Sequence, residues 1–237
     1  MSDCQRKLLL FGGSGQIGQS IAQKFKAKDW EVFVVSRSVR NNSAHEIQWD
    51  VDVEKKNAVP SALLNSGSFD SVCWAQGVNL NDSIYTFEPD SHKKVYEANV
   101  SFILSTLAAL VSENLLCKPA RLCVVSSIWQ NISRQNKLSY AISKSALQGL
   151  VLSLANDMAV DGHLVNAVLP GALDTPMTHS NLSSAQIESI KDSTNFKRLA
   201  KLEDVSSAAY FLCSQENTGV TGQFIKIDLG FSDVRNI

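Results

Sequence analysis

Short apolar runs alternate along this chain with longer stretches in which apolar residues recur every three or four positions. The first pattern is typical of buried strands and the second of amphipathic helices. The short runs predict strands at residues 7–11, 31–35, 47–49, 71–75, 121–126, 164–169 and 224–227. The longer period predicts helices that start near residue 17 and that cover residues 54–65, 90–112, 139–159 and 203–214.

This alternation predicts a single α/β domain over residues 1–237, a Rossmann-type, doubly wound parallel sheet with helices on both faces. No internal repeat, low-complexity segment or linker divides the sequence. Residues 174–201 are polar and lack a long period, with a short helix near residues 185–191. A long segment of this kind between ordered elements is typical of a substrate-binding loop or lid.

Composition and charge narrow the class of function. The chain is 44% hydrophobic, which suffices for a sizeable core, and its formal net charge is -1 with no cluster of Lys and Arg. We therefore predict no nucleic-acid partner and no membrane surface. No apolar run approaches the ~20 residues of a membrane span, and the N-terminus lacks the apolar core of a signal peptide.

The cysteines and histidines show no pattern of a disulfide framework or a metal site. The five cysteines are odd in number and widely scattered, namely Cys4, Cys73, Cys117, Cys123 and Cys213. We expect buried, reduced thiols in a cytoplasmic protein. The four histidines lack metal-ligand spacing, so no metal is predicted.

A glycine turn follows the first predicted strand. Gly12, Gly15 and Gly18 recur every third residue and lead directly into a helix. Glycines there permit a tight turn and a close approach of the backbone to a pyrophosphate, and the helix N-terminus offers free N–H groups. The pattern favours nucleotide binding over the alternative, a glycine-rich turn without a ligand.

Arg37 follows the second predicted strand, where selectivity for the adenosine ribose is usually set. No carboxylate is present to accept a hydrogen bond from a 2′-hydroxyl, whereas arginine suits a 2′-phosphate. This favours NADP(H) over NAD(H), although a solvated surface arginine is the alternative. Asp50 and Val51 end the third strand and could flank the adenine ring, or Asp50 could simply cap a loop.

Tyr140 and Lys144 are the candidates for proton transfer. Four residues apart on a predicted helix, they share one face, and a nearby ammonium lowers the pKa of a phenol. Such a tyrosine can exchange a proton with a carbonyl or alcohol oxygen, and Ser127 could add a hydrogen bond. The pair alone is short enough to arise by chance. Asn99 is polar within an amphipathic helix, and it is either buried with partners or a surface residue.

Together these features resemble the short-chain dehydrogenase/reductase family over nearly the whole chain. Each motif alone is weak, but their joint occurrence in the right order is specific. The resemblance rests on the glycine turn, Asp50-Val51, Asn99, Ser127, Tyr140, Lys144, Asn166, Pro170-Gly171, Thr175, Arg198 and the motifs at 203–205, 211–212, 221–223 and 228–230. It is similar above all to the branch with 3-oxoacyl-carrier-protein reductases and sugar, polyol and steroid dehydrogenases.

The resemblance implies specific roles. Tyr140 is the proton donor or acceptor, Lys144 lowers its pKa and binds the nicotinamide ribose, Ser127 polarises the substrate carbonyl, and Asn99 holds a water beside Lys144. The implied cofactor contacts are Gly12, Ser14, Gln16, Ile17, Gly18, Arg37, Asp50, Val51, Ala75, Gly77, Tyr140, Lys144, Pro170, Gly171 and Thr175. Two departures stand out, Gln16 in place of a glycine and Trp74-Ala75-Gln76-Gly77 in place of Asn-Asn-Ala-Gly. We expect Trp74 or Gln76 to reshape the nicotinamide side of the pocket.

The functional prediction is therefore an NADP(H)-dependent oxidoreductase that interconverts a carbonyl and a secondary alcohol, with NAD(H) as the second choice of cofactor. The alternatives are a nucleotide-binding sensor without turnover and an epimerase or dehydratase built on the same site. The expected partners are a small, partly polar substrate and further copies of the chain, as dimers or tetramers packed through the helices at 90–112 and 139–159. The residues expected to line the substrate pocket are Trp129, Gln130, Asn131, Met177, His179 and Asn181.

Overall fold

The apolar runs form one sheet of seven parallel strands in the computed structural model, which describes residues 5–38 and 45–234. The strands are β1 (Lys7–Phe11), β2 (Glu31–Ser36), β3 (Glu46–Gln48), β4 (Phe69–Trp74), β5 (Leu116–Val125), β6 (Leu164–Pro170) and β7 (Phe224–Ile227). Their order is β3-β2-β1-β4-β5-β6-β7, and every neighbouring pair is parallel. The predicted doubly wound sheet is confirmed, and its direction of winding reverses between β1 and β4.

Helices cover both faces of this sheet. They are α1 (Gln16–Lys26), α2 (Ser61–Leu64), α3 (Pro89–Tyr96), α4 (Phe102–Ser112), α5 (Leu138–Asp157), α6 (Pro176–Asn181), α7 (Ser184–Asp192) and α8 (Leu202–Cys213). A π-helical segment, Glu97–Ser101, joins α3 to α4, and short 3₁₀ turns lie at Ile84–Thr86, Ile128–Gln130 and Ala159–Asp161. One core layer buries α1 and α8 against the sheet, and the other buries α4 and α5.

Aromatic packing shows why the departure at Trp74 is structural. The Trp74 ring stacks on Phe11 with centroids 5.8 Å apart, and its Nε1 donates a hydrogen bond to Thr106 Oγ1 over 2.9 Å. The side chain is 1% exposed. Trp74 therefore fills the core between the sheet and α4, and the expectation that it reshapes the pocket is wrong.

The helix predicted at residues 54–65 is the largest error, because only Ser61–Leu64 is helical. Asp52 and Asn57 close a turn there, with the Asp52 N–H donating to Asn57 Oδ1 over 2.8 Å. Pro60 then disfavours helical backbone at the residue before it. Side-chain turns and a proline thus delay the helix by several residues.

One described helix, the continuous segment Pro89–Ser112, is long and apolar enough by length and composition to cross a membrane, with a mean hydropathy of 1.4 over 18 residues. Its residues Val100, Ile103 and Leu107 are buried in the core beneath the sheet. That placement is typical of a core helix in a globular domain.

Candidate active site

A cavity of about 890 Å³ opens at the carboxyl ends of the strands, where the direction of winding reverses. Ligands of doubly wound sheets bind in this crevice, because loops from both halves of the sheet diverge there. The predicted site residues that line it are Gln16, Ile17, Ala75, Gly77, Ser127, Tyr140, Lys144, Pro170, Gly171 and Thr175. Gly15 of the glycine turn, which was not among the predicted contacts, lines it as well. Gly12, Ser14, Gly18, Arg37, Asp50, Val51 and Asn99 are not among the lining residues.

Helix α5 presents Tyr140 and Lys144 to this cavity from one face, as their spacing predicts. Ser127 comes from the end of β5, where it caps the 3₁₀ turn by accepting a hydrogen bond from the Trp129 N–H over 3.4 Å. Three polar side chains from two elements thus meet at one wall. The lysine Nζ lies 5.7 Å from the centre of the Tyr140 ring.

Burial sets the proton affinity of both groups. It raises the pKa of Tyr140, because an apolar environment disfavours the phenolate, and the Ser127 hydrogen bond opposes this shift. It lowers the pKa of Lys144 to about 8, because it disfavours the ammonium. The Lys144 Nζ donates a hydrogen bond to the Val125 carbonyl over 3.1 Å. Because burial is the dominant cause, the net direction of the pKa shift at Tyr140 is opposite to the expected one. The phenol therefore stays protonated near neutral pH.

Asn99 is buried, 1% exposed, in the π-helical segment. Its Oδ1 accepts a hydrogen bond from the Val78 N–H over 2.8 Å, and its Nδ2 donates to the Val78 carbonyl and to Ser143 Oγ. The side chain thus fastens the segment after β4 to α5. The Oδ1 atom accepts one hydrogen bond and keeps a second lone pair, and the expected water beside Lys144 stays a prediction.

Steric crowding explains two of the three glycines in the turn. A Cβ on Gly18 would lie 2.3 Å from the Gly12 carbonyl oxygen. Gly12 has a φ of +78°, and a Cβ on it would lie 2.5 Å from the Gln76 backbone nitrogen. Gly15 is different, because a Cβ there would meet only the Gly12 carbonyl oxygen, at 3.6 Å. Gly12 and Gly18 therefore shape the turn, while Gly15 leaves its wall of the cavity open to a ligand.

The N-terminus of α1 is uncapped at this opening. Gly15 is the N-cap and supplies no side chain, and the first turn carries no acidic residue. The N–H groups of the first helical residues thus point toward the cavity wall formed by Gly15, Gln16 and Ile17. A phosphate or pyrophosphate fits this arrangement of donors and helix dipole.

The predicted adenosine residues lie outside the cavity, near the ends of β2 and β3. Arg37 is exposed, and its guanidinium forms no ion pair with any described residue. Asp50 is also exposed, whereas Val51 packs partly against the core. These positions are compatible with a dinucleotide that extends from the cavity across the sheet edge.

The segment predicted as a loop at residues 174–201 contains α7, which confirms the short helix predicted near residues 185–191, and a second helix, α6, which was not predicted. Thr175 caps α6 by accepting a hydrogen bond from the Thr178 N–H over 3.3 Å, and Pro176 occupies the first helical position. A Thr-Pro pair of this kind is a helix-start signal that the sequence interpretation missed. Leu182 and Ile190 from this segment line the cavity.

Several cavity residues escaped the sequence interpretation. They are Asn79, Arg134 and Lys137, together with apolar residues such as Phe231. Gln76, which was expected beside Trp74 as a residue that reshapes the pocket, does line the cavity. The Gln76 amide is buried, and neither of its polar atoms has a hydrogen-bond partner. Of the pocket candidates, Trp129 lines the cavity while Gln130, Asn131 and His179 do not. The side chains of Met177 and Asn181 lie outside the described residues.

No group of three or more His, Cys, Asp or Glu residues suited to a metal ion occurs in the part of the chain that the structure describes. Cys73, Cys123 and Cys213 are buried together between the sheet and α8. As thiols in the core, they lie apart from the cavity described above.

Comparison with known proteins gives one family and many relatives. A family model described as enoyl-(acyl carrier protein) reductase matches residues 13–232. An uncharacterised oxidoreductase of Bacillus subtilis, YmfI, is 29% identical over 94% of this chain and 97% of its own length. The 3-oxoacyl-[acyl-carrier-protein] reductase FabG of Salmonella typhimurium is 25% identical over 94% of this chain and 95% of its own. The fold matches that of a gluconate 5-dehydrogenase of Burkholderia cenocepacia with a TM-score of 0.85, at 18% identity over 97% of this chain and 96% of that one.

Proposed function

We propose that this chain, which belongs to the short-chain dehydrogenase/reductase family of oxidoreductases, interconverts a carbonyl group and a secondary alcohol with NADP(H) as cofactor. The observation that carries the proposal is that Tyr140, Ser127 and Lys144 line the same cavity as an uncapped helix N-terminus. Proton-transfer groups and a phosphate cradle therefore border a single space.

The residues around the cavity fit a nicotinamide dinucleotide. The free N–H groups of α1 would hold its pyrophosphate, and Gly15 leaves room for it. Arg37, without an ion pair among the described residues, would hold a 2′-phosphate, which supports NADP(H) before NAD(H). The gluconate 5-dehydrogenase that shares this fold is in complex with NADP and tartrate. When bound, the nicotinamide supplies or accepts the hydride.

The side chains of the chain perform the proton chemistry. The Ser127 hydroxyl and the protonated Tyr140 phenol would both donate to the substrate carbonyl oxygen, which fixes the carbonyl and polarises it. As the oxygen gains negative charge, Tyr140 gives up its proton to it. The adjacent Lys144 ammonium stabilises the phenolate that remains.

A Tyr140→Phe variant tests this proposal. We expect turnover of a carbonyl and alcohol panel, followed by NADPH absorbance, to fall by ~10²–10⁴ because the proton donor is lost. NADPH binding, followed by fluorescence, should persist. Tyr85→Phe is a matched control, because Tyr85 is 94% exposed. Unchanged turnover in Tyr140→Phe contradicts the mechanism. NADPH binding without turnover would favour a sensor, and substrate conversion without net NADPH consumption an epimerase or dehydratase.

We also propose that the chain acts as a dimer or tetramer in the cytoplasm. Helices α4 and α5 both leave apolar side chains exposed, with Leu104 48% and Leu152 49% exposed. Apolar side chains in water favour burial against a partner surface. The buried Cys73, Cys123 and Cys213 are compatible with a reducing compartment.

A further inference from the structure

Lys137 is a buried cation without an acidic partner. The side chain is 4% exposed, and its Nζ donates to Asn79 Oδ1 over 2.5 Å and to Asn81 Oδ1 over 2.6 Å. Both acceptors are neutral amides, and no carboxylate of a described residue lies within ion-pair distance of Nζ. An ammonium has three donors, so one remains available. Burying such a charge is costly unless an anion compensates it.

Asp82 is the acidic residue that acts on Lys137 electrostatically, but its hydrogen bonds are to another residue. The Asp82 carboxylate accepts hydrogen bonds from the Ser139 N–H, over 3.0 Å, and from the Ser139 hydroxyl. Arg134 adds a second positive charge, with its guanidinium 5.9 Å from the centre of the Trp129 ring. Burial and Arg134 together lower the pKa of Lys137 to about 8, and Asp82 only partly opposes them. Two positive groups thus stand against one carboxylate, and the local charge is net positive.

These cations belong to the cavity wall beside Tyr140. The Nζ of Lys137 lies 5.4 Å from the centre of the Tyr140 ring, and α5 begins at the next residue with its positive end. The described residues that line the cavity include three cations, Arg134, Lys137 and Lys144, and neither Asp nor Glu. A cavity of one charge sign concentrates ligands of the opposite sign.

We propose that Lys137 and Arg134 form an anion-binding subsite that selects carbonyl substrates with a carboxylate or phosphate within a few bonds of the reacting carbon. Lys137 contributes its free N–H to the anion at the buried end, and Arg134 faces the anion from the exposed end. Apolar side chains such as Trp129, Ile132 and Ile190 hold the remainder of the substrate. This proposal rests on the proposed carbonyl chemistry, because it places the anion relative to Tyr140.

Matched substrate pairs test the subsite. Acetoacetate and ethyl acetoacetate differ in the carboxylate, and dihydroxyacetone phosphate and dihydroxyacetone differ in the phosphate. We expect the wild type to have a kcat/KM at least ~10-fold higher for the anionic member of one pair, as charge-assisted hydrogen bonds predict. The pair that shows this preference identifies the anion as carboxylate or phosphate. Equal kcat/KM within both pairs overturns the subsite while leaving the proposed function intact.

Substitutions of Lys137 and Arg134 distinguish a role in binding the anion from a role in stabilising the fold. Lys137→Met should lower kcat/KM for the preferred anion by ~10–100-fold, mainly through KM, and leave the neutral member within about threefold. Lys137→Arg should restore the preference, because it keeps the positive charge. Arg134→Met should give a smaller loss, because its guanidinium is exposed. An equal loss for both members of a pair in Lys137→Met would show a structural role and overturn the proposal.

A binding measurement keeps the two proposals distinguishable. Ligand-detected NMR should show 3-hydroxybutyrate or dihydroxyacetone phosphate bound to the wild type and released in Lys137→Met. If this difference appears without turnover of any substrate, the subsite stands and the proposed function fails. If neither anion binds in a Lys137-dependent way, the subsite is overturned whatever the activity.

Discussion

Two lysines beside Tyr140 have pKa values near 8 for the same main reason, the loss of hydration on burial. Lys144 and Lys137 each drop from an ordinary value of 10.5, and Arg134 adds to the shift at Lys137. At neutral pH both remain largely protonated. Their charges act on different parts of a substrate, since Lys144 supports the phenol and Lys137 faces the proposed anion.

The pKa of Lys137 predicts how the preference for anions depends on pH. Below about pH 8 the ammonium is charged and the preference is present, and as pH rises through 8 it is lost. We expect the ratio of kcat/KM for the anionic and neutral members of the preferred pair to fall about tenfold between pH ~7 and ~9.5. The titration of Tyr140 and Lys144 affects kcat/KM for both substrates in the same way, so it cancels in the ratio.

Lys137→Arg is the control for this pH profile. A guanidinium stays protonated throughout this range, so the ratio should be flat. A wild-type ratio that does not change with pH would contradict the assignment of the titrating group.

Arg37 determines the choice of cofactor in our proposal. Removing its charge in Arg37→Ala should lower kcat/KM for NADPH by ~10–100-fold and leave that for NADH within about threefold, because only NADPH carries the 2′-phosphate. Arg6→Ala is the control, since Arg6 is an exposed arginine before β1, at the opposite end of the strands. Faster turnover of the wild type with NADH than with NADPH would refute the role of Arg37.

At the scale of elements, His163 fastens the start of β6 to β5. It is 4% exposed, and its Nδ1 accepts a hydrogen bond from the Ala120 N–H over 2.8 Å, which requires the neutral ring. Burial lowers its pKa below 6.5, with Asp161 opposing the shift. The unfolded chain therefore binds a proton near pH 6 that the folded chain does not, and this contribution to stability is lost as pH falls below about 6.5.

His163→Asn tests this contribution. We expect the variant to be about 1 kcal/mol less stable at pH ~8, because one hydrogen bond weakens, and less sensitive to acid. Urea unfolding at pH ~8 and ~5.5 measures both effects. The difference between wild type and variant should shrink at the lower pH, and a constant difference would contradict the assignment.

Local signals explain which elements the sequence predicted. β1 and β7 have the predicted bounds, and α1, α5 and α8 agree with their predicted positions within one or two residues. The π-helical segment at Glu97–Ser101 does not interrupt the apolar pattern of the long predicted helix, so the sequence gives no signal for it. It places Asn99 inward, where its amide reaches Val78 across 21 positions of sequence.

At the scale of the whole molecule, the contacts that could be predicted from the sequence are those between side chains that directly follow a strand or share one helix face. Ser127, Tyr140 and Lys144 are of this kind. Lys137 is not, because its importance arises from contacts with Asn79 and Asn81, more than 50 positions earlier, and from the absence of a described carboxylate beside it. Long-range pairings of polar side chains leave no local period to detect.

Self-association is the prediction that belongs to the whole molecule. Light scattering at micromolar concentration should give two or four times the chain mass of 25.9 kDa. Leu104→Glu should shift the population toward monomer and raise the dissociation constant by ~10–100-fold, because a charge would be buried at the interface. Val160→Glu is the control, since Val160 is 89% exposed but lies outside α4 and α5. A wild-type monomer would refute the proposed assembly.

The irregular segment from Gly77 to Asp82 is tied to the opposite wall at four residues, by Asn99 to Val78, by Lys137 to Asn79 and Asn81, and by Ser139 to Asp82. One end of it borders Lys144 and the other borders the proposed anion subsite. Two ligands that contact one segment share the entropic cost of ordering it, so each should raise the affinity for the other. The coupling must be equal in both directions, and titrating NADP with and without the preferred anion, then the reverse, measures it.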